Sequence, residues 1–158
     1  MRKNLTDSKD EQNEPELTRR QWRLLHAECD LFAVALHRLT GLTIAAYVDE
    51  DFQVEGTVLV HAFVTEDAAR TGIDVRGRLP VVKMLEEFER NDPELVVLSV
   101  AEVLKLGRGR RRFSQRQPLY RAALAEALIV CERLNLKRVS RRPGHSPRGG
   151  IRGTKRKR

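Results

Sequence analysis

A chain of 158 residues, 41% hydrophobic and 33% charged, is long enough to bury one ordinary core. It holds no run near the roughly 18 apolar residues that a membrane span requires. Its polar start, MRKNLTDSKDEQNEPE, lacks the apolar centre of a signal peptide, so a cytoplasmic protein with no membrane contact is expected. Two cysteines far apart, Cys29 and Cys131, fit reduced thiols better than a disulfide scaffold. The net charge of +8 is unevenly spread: Lys137 to Arg158 holds ten Lys/Arg and no acid, which leaves 20 basic against 22 acidic residues before it. The basicity therefore belongs to a tail.

In chain order, residues 1–15 are charged and aperiodic and predict a disordered arm. An apolar stripe of Leu17, Trp22, Leu24 and Leu25 continues through Cys29, Phe32, Ala33 and Leu36 at helical spacing, with Gly41 as the terminating residue. The pattern leaves open whether 16–40 is one helix or two with a break near Glu28. Thr43–Val48 predicts a short strand and Asp49–Gly56 a charged turn. Thr57–Thr65 is apolar on both faces, as a central strand is, with Val58, Val60, Ala62 and Val64 on one side and Leu59, His61 and Phe63 on the other. Thr71–Arg76 predicts its hairpin partner. Pro80 is expected to open a helix ended by Asn91-Asp92-Pro93. Leu95–Leu98 predicts a strand, Ser99 with Glu102 a capping box over a short helix to Leu106, and Gln117–Leu134 a long helix. The expected class is α+β: an N-terminal helix on a small antiparallel sheet and a long C-terminal helix, forming one domain over 16–136, then a disordered basic tail over 137–158.

With a four-residue loop pairing Thr65 with Arg70, Asp74 falls opposite His61, within hydrogen-bond reach. Metal binding finds no support, because His26 and Cys29 lack further ligands at a suitable spacing. No cofactor motif is present either. Nucleophilic chemistry is better supported. It needs a thiolate, a base that makes it, and an acceptor that holds the imidazole in the right tautomer. Cys29 on the first main helix, His61 on the central strand and Asp74 on its neighbour supply the three. The flanking Glu28 and Asp30 act against thiolate formation, while Cys131 reads as a small buried hydrophobe, and His26 and His37 as ordinary helix residues.

CDLFAVALHRLTGL on a helix, a short strand, then VHAFV and GIDVRG resembles compact bacterial and phage members of the papain-like cysteine-enzyme superfold, over roughly residues 24–100. The resemblance implies Cys29 as nucleophile, His61 as general base and Asp74 as orienting residue. It also implies hydrolysis or acyl transfer at a peptide, amide or isopeptide bond in a peptide or protein substrate. Gln21 is the nearest counterpart to the side-chain donor of an oxyanion hole. A relative that keeps the fold without the chemistry remains the alternative.

The basic segments carry a second expectation. Arg108, Arg110, Arg111, Arg112 and Arg116, with Lys155, Arg156, Lys157 and Arg158 at the end, suit binding to nucleic acid or an acidic protein through counterion release. Without catalysis, the chain would be a binding or inhibitor protein of the same fold.

Overall fold

The computed structural model describes residues 16–51, 56–67, 70–86, 88, 92–107 and 116–139. The expected arm at 1–15, most of the tail, and Arg108, Arg110, Arg111, Arg112, Lys155, Arg156, Lys157 and Arg158 lie outside them.

The elements are α1 (Arg19–His26), α2 (Cys29–Thr40), β1 (Thr43–Asp51), β2 (Gly56–Thr65), β3 (Thr71–Asp74), β4 (Gly77–Pro80), a 3-10 turn at Val81–Leu85, β5 (Glu94–Val97), α3 (Val100–Leu106) and α4 (Gln117–Arg133). All strand pairs are antiparallel, in the order β4-β3-β2-β1-β5. The α+β class, the N-terminal helices and the long C-terminal helix are as expected. β2 does lie at the centre of the sheet, because both of its faces are covered. One is covered by α2 and its neighbours, with Ala62 and Val64 among Leu31, Ala35 and Ile73. The other meets Tyr47, Val81 and Met84.

Three expectations need correction. The proline-opened helix is only a 3-10 turn, since Pro80 itself pairs with Thr71 in a strand that the sequence pattern did not reveal. The alternation along β2 is broken: Tyr47 pairs with His61 but Val48 with Leu59, leaving Val60 as the extra residue of a bulge. Leu59 thereby joins the Ala62 side and Val60 the Phe63 side. The domain also extends past 136. The Val139 amide donates to the Leu39 carbonyl at 2.8 Å, and the Val139 side chain lies against Gly41, which closes α2 in the left-handed conformation with φ of 74°.

Local signals explain the helices. Thr18 and Gln21 form a capping box on α1, and Ser99 and Glu102 form one on α3. The small residues Ala123 and Ala127 give α4 a buried face that approaches α2 closely, with Val130 and Cys131 extending it. Because 137–139 return to α2, ending the chain after Leu136 is expected to cost about 1 kcal/mol, the worth of one hydrogen bond with its contacts. Ending it after Val139 should cost nothing measurable. Urea denaturation of the two truncations checks this, and equal stabilities would show that Val139 contributes nothing.

Candidate active site

The helical stripe is interrupted at Glu28. Both the Ala27 and Glu28 amides donate to the Arg23 carbonyl, at 2.9 and 3.0 Å, which closes α1. The Leu31 and Phe32 amides both donate to the Glu28 carbonyl at 3.1 Å, which opens α2. Cys29 is thus the first residue of a 12-residue helix, at the end where the helix dipole favours negative charge. No glycine or proline marks the break.

The carboxylates beside the thiol are each matched by a guanidinium. Arg23 reaches back across the break to Glu28 at 2.6 Å. Arg116 grips Asp30 with both terminal nitrogens, at 2.6 and 2.9 Å, and also donates to the Gly107 carbonyl at 3.2 Å. Arg116, expected on a polyanion-binding surface, is only 4% exposed and belongs to the core. The reason is geometric: a buried carboxylate needs a planar two-pronged partner, and Arg116 stands at the entrance to α4 facing it. Gly107 is required at this point, since a Cβ there would lie 2.0 Å from Asp30 Oδ2.

His61 and Asp74 are in contact, with Nε2 and Oδ2 2.9 Å apart. The register that brings them together differs from the expected one. Val64 pairs with Ile73 and Thr65 with Gly72, a displacement of two residues, because the longer loop is organised by Asp67, whose carboxylate accepts from the Thr71 amide at 2.9 Å. A displacement of two preserves faces, so Asp74 meets His61 diagonally rather than directly. Asp74 is further held by Arg76, whose Nη2 lies 2.6 Å from Oδ2 and whose amide donates to Oδ1 at 2.8 Å. Sequence reasoning missed Arg76. The aspartate-plus-two spacing of a side-chain-closed turn was the available signal.

Burial of His61 disfavours its charge, but the Asp74 hydrogen bond and the nearby Cys29 side chain outweigh it and push the imidazole up to about 9. Asp74 is likewise buried, yet His61 and Arg76 hold its carboxyl down to about 2. With Nε2 engaged, Nδ1 is the ring atom left without a hydrogen-bond partner. The ring stacks on Phe88, with centroids 4.9 Å apart, and Phe88 in turn meets His26 of α1, whose ring lies tilted 4.5 Å from that of Trp22. Cys29 is 7% exposed, and His61 and Asp74 are buried.

Gln21 is not placed as an oxyanion donor. Its amide nitrogen donates to Glu126 at 3.1 Å, and its oxygen accepts from the Thr18 amide in the α1 capping box. Cys131 is buried, and burial pushes its thiol up. His37 Nδ1 donates to the Leu42 carbonyl at 2.7 Å, fixing the turn after α2. Among the described residues no cluster of His, Cys, Asp and Glu would hold a metal ion, and no helix is long and apolar enough to cross a membrane. Comparison with protein-family models, curated proteins and solved structures finds no match.

Two outcomes follow for stability. Arg116→Ala would strand the Asp30 carboxylate in the core, and urea denaturation should show a loss of about 3–5 kcal/mol. Asp30→Asn in the same chain should recover part of it, whereas no recovery would mean that the charge is not the cause. The second concerns pH. His61 binds its proton more tightly folded than unfolded, so that stability is fully present below pH 6.5 and is lost as pH rises through about 9. Asp74 runs the other way: its contribution is present above pH 3.8 and is lost as pH falls through about 2. His61→Gln should therefore flatten the alkaline limb of the stability–pH profile, and a limb unchanged by it would assign that limb to other groups.

Proposed function

We propose that the protein is a cysteine hydrolase or acyltransferase of the papain-like kind, acting on a peptide, amide or isopeptide bond. One observation carries this: a buried His61–Asp74 pair, with Nδ1 of the imidazole unpartnered and its proton affinity raised in part by the side chain of Cys29, the residue that begins α2. In the reaction the Cys29 thiol gives its proton to His61 Nδ1. The thiolate attacks the carbonyl carbon, and His61 returns the proton to the departing amine as the C–N bond breaks. A thioester remains on Cys29. Water hydrolyses it in a hydrolase, while an amine takes the acyl group in a transferase, with His61 accepting the nucleophile's proton in either case. Asp74 keeps the ring oriented and favours its charged form. The first amides of α2, which have no partners within the helix, are suited to the oxyanion.

A second reading is favoured by the burial of Cys29 and His61. In that reading the constellation is a core feature, and the chain is a binding or inhibitor protein that contacts nucleic acid or an acidic partner through its basic segments.

Thiol labelling separates the two. With an active pair, iodoacetamide at pH 6 should modify Cys29 and spare Cys131, and His61→Ala should abolish the preference. Turnover of any amide substrate should decline as pH rises through about 9, where His61 ceases to supply a proton to the leaving group. Slow and equal labelling of both cysteines, indifferent to His61→Ala, would establish the second reading.

A further inference from the structure

A groove of about 700 Å³ runs between α1 and the start of α4, beside the site described above and sharing only Arg23 and Glu28 with it. Arg19, Arg20 and Arg23 from α1 and Arg121 from α4 line it, against a single carboxylate, Glu28. Leu24, Leu119 and Ala122 form its apolar part. The four guanidiniums are not equivalent. Arg20 is held by Glu126 at 3.7 Å and by the Ala122 carbonyl, and Arg23 by Glu28. Arg19 and Arg121 are exposed and have no partner among the described residues. Like charges gathered around an apolar cleft repel one another, and a ligand that brings negative charge relieves that repulsion.

We infer that this groove binds an acidic peptide segment of a partner protein, its carboxylates meeting Arg19 and Arg121 and its aliphatic side chains meeting Leu24 and Leu119. The planar fork of arginine pairs with a carboxylate through two parallel hydrogen bonds. Arg20 and Arg23, already fixed by their own carboxylates, shape the walls at little further entropic cost. A peptide is favoured over single-stranded nucleic acid because no aromatic ring stands among the described lining residues, so bases would find no stacking platform. The inference concerns binding and holds whether or not Cys29 is reactive.

The test uses the full chain and a short fluorescent peptide alternating glutamate and leucine, followed by anisotropy. Arg19→Glu with Arg121→Glu should weaken binding about tenfold or more, and the glutamine pair should weaken it less, in keeping with charge pairing at the two positions. Lys83→Glu with Lys105→Glu changes the net charge equally at exposed positions away from the groove and should leave affinity nearly unchanged. The basic tail is untouched in every variant, so its contribution cancels. Equal weakening by both glutamate pairs would assign the binding to overall charge and overturn the inference. So would displacement of the peptide by oligothymidylate at matching concentration, or undiminished binding by the groove variant.

Discussion

The buried Asp30–Arg116 pair ties together the parts of the chain on which the site depends. Taking two charges out of water is costly, and the attraction between them compensates only when hydrogen bonds also satisfy the remaining polar atoms. Here Arg116 satisfies both carboxylate oxygens and spends a further donor on the Gly107 carbonyl. One contact therefore joins the first turn of α2, the end of α3 and the entrance of α4. Gly107 makes it feasible by offering backbone without a side chain where Asp30 must approach.

The same contact bears on the thiol. Cys29 stands between two carboxylates, an arrangement that by itself opposes a thiolate. With Arg23 on one and Arg116 on the other, each negative charge is balanced locally. Cys29 itself stands at the start of α2. His61 depends on a parallel device, in which Arg76 and the turn at 74–76 hold the Asp74 carboxylate before it meets the ring. The bulge at Val60 lies immediately beside His61, where a bulge changes the direction of the side chains that flank it.

The arginines fall into separate roles although the composition makes them look alike. Arg116 is interior structure, Arg23 and Arg76 each serve one carboxylate near the site, and Arg19 and Arg121 face an open groove. Composition counts charges, but it cannot tell a solvated guanidinium from one consumed by a buried acid. Only the position of each acid decides which arginine can reach water, which is why a run of basic residues before α4 was misjudged at its last member.

Much of the fold was legible from local signals. The two-sided apolar run of β2, the two capping boxes, Gly41 after α2 and the spacing of α4 each follow from side-chain chemistry acting over a few residues. The sharing of one face by His61 and Asp74 was legible too, because strand alternation survives a displacement of two residues even when the loop length is misjudged. The sequence alone determined these things since period and parity are properties of the chain itself. Tertiary structure decided the rest: the break at Glu28, the bulge at Val60, the strand Gly77–Pro80, and the pairing of Asp30 with a residue 86 positions away. None of these leaves a local mark. Each is fixed by which distant group happens to fill the space or satisfy the charge, and that becomes definite only when the helices and the sheet have closed on one another.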